Sequence, residues 1–135
     1  MAQSISLEVA TPLGRALSTD SESVQVPGVA GEFGVLAMHL PILAAVKPGI
    51  LKYRQNGTEE RAAIGGGFAE ADATHVRLIT EFYATQSDVD LDDAKRDLEA
   101  AQERLRTFKG EFGDPEHREA QRDLDWALAR IELAS

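Results

Sequence analysis

The sequence predicts an α+β protein in which an all-β sandwich comes first and an antiparallel two-helix hairpin follows. Two observations indicate the sandwich: apolar residues alternate with polar ones before Ser87, and turn signals recur there at short intervals. A third observation indicates the hairpin, because apolar residues after Ser87 recur every three or four positions. A chain of 135 residues fits one domain or two small ones, so we predict domains at 1–86 and 87–135.

The alternation of period two appears in three short segments of the first domain, and it is typical of half-buried strands. The apolar residues of these segments are Ile5, Leu7, Val9, Val24, Val26, Val76 and Leu78. Turn signals separate them, and these are Thr11-Pro12-Leu13-Gly14, Pro27-Gly28, Lys47-Pro48-Gly49 and Asn56-Gly57. Many short strands with frequent turns predict a small sandwich or barrel.

Two of the turns predict hairpins. Asn56-Gly57 is a two-residue turn that needs positive φ, between two strand-like segments. Ala71-Asp72-Ala73 is expected to join strands at Phe68–Glu70 and His75–Ile79.

The second domain is predicted to hold two helices. The first has Asp90 as its N-cap and an end signal at Lys109-Gly110. The second begins with Asp114 as its N-cap and Pro115 as its first residue. The predicted apolar stripes are Leu91, Ala94, Leu98, Ala101, Leu105 and Phe108 in the first helix, and Ala120, Leu124, Ala127, Leu128 and Ile131 in the second. This seam of Leu and Ala is thin, so we expect the hairpin to need the sandwich or a partner, and to be a movable element.

Composition narrows the class of protein. The net charge of −9 argues against nucleic acid as a partner, because phosphate contacts need clustered Lys and Arg. No cysteine is present, which excludes disulfides and thiolate metal sites. Neither a signal peptide nor an apolar run of membrane-spanning length is found, which predicts a protein that is soluble as a monomer and at most peripheral to a membrane.

No set of residues predicts catalysis, a metal site or a cofactor. Gly65-Gly66-Gly67 lacks the Lys-Ser/Thr of a phosphate loop, so backbone crowding explains these glycines better. His39, His75 and His117 have no metal-ligand spacing, and no serine has a matched His and Asp. We therefore expect a non-catalytic protein with no cofactor.

Several motifs occur in an order that resembles a known family. The stretch from Val26 to Leu51, VPGVAGEFGVLAMHLPILAAVKPGIL, precedes AAIGGGFAE and then a helical hairpin after SDVDLDDA. This arrangement resembles the epsilon subunits of F-type ATP synthases, whose mitochondrial counterpart is called delta. The resemblance covers essentially the whole chain, and the motifs are specific as an ordered set rather than singly.

The resemblance implies a non-catalytic rotor subunit of the central stalk, located peripherally at the cytoplasmic face of a bacterial inner membrane. In the family, the sandwich sits on the gamma subunit and on the ring of c subunits, and it helps to transmit torque. In many bacteria the hairpin can extend into the alpha/beta catalytic head and inhibit ATP hydrolysis. By position, the resemblance places Glu32, Phe33 and His39 at the contacts with gamma and the c-ring.

One departure from the family affects nucleotide binding. Family members that bind ATP carry Ile/Leu-Asp-x-x-Arg-Ala, which aligns with the segment from Val89 to Ala94. Asp93 stands at the arginine position, where a phosphate needs a cation, so we expect no nucleotide binding. Two alternatives to the rotor subunit stay open: a nucleotide-sensing module that binds ATP at the junction of sandwich and hairpin, and an acidic adaptor unrelated to ATP synthase.

Overall fold

A computed structural model describes residues 4–29, 31–36 and 41–135. Ten strands, one short 3-10 helix and two α-helices occur in these residues. The strands are β1 (Ile5–Thr11), β2 (Gly14–Ser21), β3 (Ser23–Gly28), β4 (Gly31–Leu36), β5 (Ile42–Val46), β6 (Gly49–Gln55), β7 (Thr58–Ile64), β8 (Gly67–Ala71), β9 (His75–Thr80) and β10 (Tyr83–Thr85). The 3-10 helix Gln86–Asp88 leads into α1 (Leu91–Arg106) and α2 (Pro115–Ala134). Within the described residues, neither α-helix is long and apolar enough to span a bilayer.

The strands form one continuous sheet that folds into two layers, in the order β10-β7-β6-β3-β5-β8-β9-β1-β2, with β4 paired to β3. Strand β3 makes the corner between the layers. Its first half, Ser23–Gln25, pairs with β6, whereas Gly28 pairs with Val46 of β5. A strand that changes sheets in this way is typical of sandwich corners. The predicted β-sandwich followed by a helical hairpin is therefore confirmed.

The core of the sandwich lies between the two layers. It consists of the inward side chains Ile5, Leu7, Val9, Val24, Val26, Val46, Leu51, Ile64, Ala69, Ala71, Val76 and Leu78. The period-two segments of the sequence supply seven of these residues, so alternation identified buried positions correctly.

Both predicted hairpin turns are present. Asn56 and Gly57 have φ of 51° and 77°, the left-handed conformation that the first turn requires. In the second, the Asp72 Oδ1 atom accepts the backbone N–H groups of Thr74 and His75 at 2.9 and 2.8 Å. These two donors lower the pKa of the Asp72 carboxyl, because they stabilise its ionised form.

The three consecutive glycines precede β8 at a crowded point of the sandwich. A β-carbon on Gly67 would lie 1.8 Å from the carbonyl oxygen of Ile79, and one on Gly65 would lie 3.0 Å from the ring of Phe82. The buried Thr80 hydroxyl donates to the carbonyl of Gly65 at 2.8 Å. Crowding is therefore confirmed at Gly65 and Gly67, whereas a β-carbon on Gly66 would lie at an ordinary 3.4 Å from the Val46 carbonyl oxygen.

The helix starts follow the sequence signals, with one difference. Asp90 caps α1 by accepting the backbone N–H of Asp93 at 3.1 Å, and Pro115 is the first residue of α2. Asp114, predicted as an N-cap, makes no side-chain cap bond, because its carboxylate accepts the N–H of Glu111 at 3.0 Å instead.

The end of α1 comes earlier than Lys109-Gly110 predicts. The helix ends at Arg106, and the Thr107 hydroxyl donates to the carbonyl of Glu103 at 2.9 Å. The chain then turns so that Phe108 reaches the ring of His117, with ring centroids 5.2 Å apart. Phe108, predicted as part of the stripe of the first helix, therefore lies outside α1.

Helix α2 packs against α1 on one side and against β6 and β7 on another. The contact with the strands is a second apolar cluster of Ile50, Ala63, Ala129 and Leu133. The predicted stripes are wrong at Leu91 of α1 and at Leu128 of α2, which are exposed, and the stripe of α2 omits Ala129 and Leu133. A single stripe describes a helix with one buried face, whereas α2 has two.

Candidate functional site

The residues predicted to contact partners belong to β4 and the segment after it. Glu32 is exposed, and its Oε2 atom accepts a hydrogen bond from the Gln25 side chain on the neighbouring strand. Phe33 lies in β4 opposite Val26 in the register. His39 lies outside the described residues. Glu32 and Phe33 are thus consecutive residues of β4, which pairs only with β3 in the described residues.

A larger apolar surface lies on the outer side of the layer that contains β5, β8 and β9. Leu43, Phe68 and Ile79 keep 71%, 58% and 46% of their surface exposed. Ala45, Phe68 and Ile79 are direct register partners on adjacent strands, so they form one row. We call Val29, Leu43, Ala45, Phe68 and Ile79 the outer apolar face.

Val29 extends this face at the corner of the sandwich. Its side chain is exposed, and its backbone N–H donates to the carbonyl of Ala45 at 3.0 Å. Isolated exposed apolar residues are ordinary, but contiguous ones at this density mark contact surfaces.

Charged residues border the outer apolar face. Glu8 of β1 lies 3.8 Å from the guanidinium of Arg15 and 3.7 Å from that of Arg77. Glu70 of β8 is the register partner of Arg77. An apolar centre with a polar rim is the usual anatomy of a protein–protein interface.

The opposite layer of the sandwich carries the hairpin. Beside the apolar cluster, the ring of Phe82 stacks on Trp126 of α2 with centroids 5.2 Å apart and planes 23° apart. Arg122 of α2 lies 3.2 Å from the carboxylate of Glu81. One outer side of the sandwich is therefore covered by α2, and the other is left uncovered by the described residues.

Two tyrosines pack against the core of the sandwich. Burial raises the pKa of Tyr83 to about 12, with further contributions from Tyr53 and Asp88. Burial also raises the pKa of Tyr53, as does the charge of Glu60. Nearby, the Thr85 backbone N–H and hydroxyl donate to Asp88, which lowers the pKa of that carboxyl.

Two comparisons of sequence decide the family. The ATP synthase Delta/Epsilon chain β-sandwich domain matches residues 4–85, and the long α-helix domain of the same chain matches residues 87–135. The chain belongs to the ATP synthase Delta/Epsilon family. This membership makes it a non-catalytic subunit of the central stalk of F-type ATP synthase, as the sequence predicts.

Relatives match over nearly the full length. The ATP synthase epsilon chain of Nitratidesulfovibrio vulgaris is 37% identical over 133 residues, which cover 98% of this chain and 97% of the relative. That of Anaeromyxobacter sp. strain Fw109-5 is 35% identical over 130 residues, which cover 96% and 97%.

Solved structures share the fold. A chain of the Euglena gracilis mitochondrial ATP synthase superposes with a TM-score of 0.81 at 23% identity, covering 99% of this chain and 82% of that one. A chain of the Tetrahymena thermophila mitochondrial ATP synthase central stalk and c-ring superposes with a TM-score of 0.63 at 11% identity, covering 98% of both.

At the start of the helical domain, an acid, Asp93, stands at the position that aligns with the arginine of ATP-binding members of the Delta/Epsilon family. Asp93 pairs with the guanidinium of Arg96, and Asp90 is occupied as the cap of α1. Further along the hairpin, the guanidinium of Arg104 is also paired, because its Nη1 atom lies 2.7 Å from Oδ2 of Asp123 on the other helix. A nucleotide phosphate would have to displace a carboxylate at each of these positions.

No cluster of three or more His, Asp or Glu side chains that could hold a metal ion occurs in the described residues. Of the three histidines, His75 bonds to Thr74 at 2.7 Å, and His117 packs between Phe108 and Phe112. Each of these two histidine side chains is therefore held by residues of the neighbouring turn.

Sequence reasoning did not identify the outer apolar face or the stack of Phe82 on Trp126. Alternation of apolar and polar residues predicts which side of a strand is buried, and Leu43 and Phe68 fall on the other side. The sequence did contain a signal for the outer apolar face. Strands β5 and β8 carry apolar residues on both of their faces, whereas the exposed face of a strand is normally polar.

Proposed function

We propose that the sandwich, residues 1–86, docks on the gamma subunit through the outer apolar face, and that Glu32, Phe33 and His39 contact gamma and the c-ring. The observation that carries this proposal is the contrast between the two outer sides of the sandwich. Helix α2 covers Ile50 and Ala63 on one side, whereas Phe68 and Ile79 stay exposed on the other. A subunit that must turn with a shaft needs such a permanent apolar contact.

The assembly proposed here holds the chain at the cytoplasmic face of a bacterial inner membrane. The Tetrahymena thermophila structure of the same fold is one of a mitochondrial central stalk and c-ring, which supports a place beside a c-ring. Membrane attachment then comes through the complex rather than through the chain itself.

Docking through the outer apolar face is tested by replacing its central residue. We expect Phe68→Glu to abolish co-purification with the gamma subunit, because a charge would be buried without a partner. The matched control is Leu13→Glu, since Leu13 is fully exposed at the turn after β1 and lies outside the face. Normal recovery of gamma with Phe68→Glu, alongside unchanged melting of the free variant, would place the interface elsewhere.

Glu32 is expected to act as a charge at the rim of the c-ring contact. A rim charge changes association rate and salt dependence more than it changes residence time. Glu32→Lys should therefore weaken ATP-driven proton pumping by the reconstituted complex in a salt-dependent way. His39→Ala should weaken it at all salt concentrations. Normal pumping by both variants would remove these residues from the contact.

We further propose that the hairpin, residues 87–135, regulates the enzyme by leaving the sandwich and extending into the alpha/beta catalytic head, where it inhibits ATP hydrolysis. The small size of the docking cluster supports this, since two alanines and two larger apolar residues form its centre. Ending the chain at Gln86 should raise ATPase activity of the assembled complex. Unchanged activity would argue against an inhibitory hairpin.

A further inference from the structure

The two helices of the hairpin are connected to each other by an ion pair that also faces the docking interface. Arg130 of α2 donates from Nη2 to Oδ2 of Asp97 on α1 at 2.8 Å. The Arg130 side chain keeps only 16% of its surface exposed, whereas that of Asp97 keeps 56%. The arginine is therefore the confined partner, and Asp97 can reach water if the helices separate.

The same guanidinium lies over the ring of Trp126, with its carbon 5.4 Å from the ring centroid. Its Nε atom also donates to the carbonyl of Trp126 at 3.5 Å. A cation over an indole face is attracted by the ring quadrupole, and it restricts the ring to one orientation. Trp126 in that orientation stacks on Phe82 of the sandwich.

Phe82 is itself fixed by the sandwich. Its carbonyl accepts the backbone N–H of Gly65 at 2.9 Å, and its own backbone nitrogen lies next to that glycine. The missing side chain of Gly65 leaves room for the Phe82 ring. The stack on Trp126 thus has a rigid base.

We propose that Asp97, Arg130, Trp126 and Phe82 form a contact chain that couples pairing of the two helices to docking of the hairpin on the sandwich. When α1 moves away, the confined Arg130 loses its carboxylate and turns toward water, because an unpaired cation is costly in a confined site. Trp126 then loses the cation that orients it, and its stack on Phe82 weakens. By thermodynamic reciprocity, undocking of α2 weakens the pairing of the helices to the same extent.

This coupling gives a partner a way to release the hairpin. A partner that captures α1 would detach α2 from the sandwich without touching the docking cluster. That consequence rests on the proposed regulatory movement of the hairpin, whereas the coupling itself is a property of the isolated chain and is tested there.

The test is a double-mutant cycle on the full chain, read by hydrogen exchange of α1 and α2 peptides. Asp97→Asn should raise exchange of the α2 segment 127–133 by up to about fivefold, the upper end for loss of one partly exposed ion pair. Phe82→Leu should raise exchange of α1. The control is Glu99→Gln, which alters another exposed carboxylate of α1.

The decisive measurement is hydrogen exchange of the double variant. Coupling predicts that Asp97→Asn and Phe82→Leu together raise exchange less than the product of the single effects, by about threefold or more. Effects that simply multiply would overturn the proposal, as would an Asp97→Asn variant that exchanges like Glu99→Gln. Because no ATP synthase is present, these outcomes are independent of whether the hairpin inhibits hydrolysis in the complex.

Discussion

Gly67 and Ile79 approach each other more closely than any other residue type at position 67 would allow. A β-carbon there would lie 1.8 Å from the Ile79 carbonyl oxygen and 2.8 Å from its carbonyl carbon. Both neighbours are main-chain atoms of β9, so they cannot move aside as a flexible side chain would. The pairing of β8 with β9 therefore depends on this glycine.

We predict that Gly67→Ala lowers the free energy of unfolding by about 3 kcal/mol, at the upper end of overpacking costs. Gly66→Ala is the control, because its β-carbon would lie 3.4 Å from the nearest atom, the Val46 carbonyl oxygen. Chemical denaturation of the two variants measures the difference. Equal midpoints for both variants would contradict the crowding described here.

The sandwich is predicted to fold without the hairpin. Its core is separate from the docking cluster, and removal of residues 87–135 uncovers Ile50 and Ala63 of that cluster together with the ring of Phe82. We expect residues 1–86 to unfold in one cooperative thermal transition, below that of the full chain. Calorimetry of the fragment checks this, and a fragment without a transition would mean that the two domains fold only together.

Stability is predicted to decrease at high pH because of Tyr83. Its pKa is raised from 10.0 to about 12 in the folded protein, so the folded state binds the phenolic proton more tightly than the unfolded state does. The resulting stability is complete below pH 10 and is lost as pH rises toward 12. Urea denaturation between these values should show a smaller loss for Tyr83→Phe than for the unmodified protein. Identical losses would assign the high-pH transition to other groups.

ATP is predicted not to bind to the isolated chain. Asp93 opposes a phosphate, and its pairing with Arg96 occupies a nearby cation. Isothermal calorimetry should detect no binding at micromolar ATP, and Asp93→Arg should partly restore it if the other contacts are present. Binding by the unmodified chain in the low micromolar range would instead support the nucleotide-sensing alternative.

Local chemistry made part of the fold predictable. The turn at Asn56-Gly57, the cap at Asp90 and the helix start at Pro115 each depend on residues that are neighbours in sequence. Such features need no knowledge of the rest of the chain, because the turn or cap is satisfied within a few residues.

Contacts between distant segments could not be predicted in the same way. The second buried side of α2 exists only because β6 and β7 present Ile50 and Ala63 to Ala129 and Leu133. The stack of Phe82 on Trp126 likewise joins segments that have no pattern in common. For the outer apolar face, the sequence contained the apolar residues but did not reveal that they share one row, because strand order and register determine this.

Strand β3 belongs to both layers of the sandwich, and this has a mechanical consequence. Its first residues hydrogen-bond to the layer under α2, and its last residue pairs with the layer of the outer apolar face. A load applied to either layer therefore reaches the other along a covalent main chain, in addition to the packed core between them. Two sheets that share a strand resist sliding past each other. Such a body deforms little under shear, so little of an applied rotation is lost to elastic deformation.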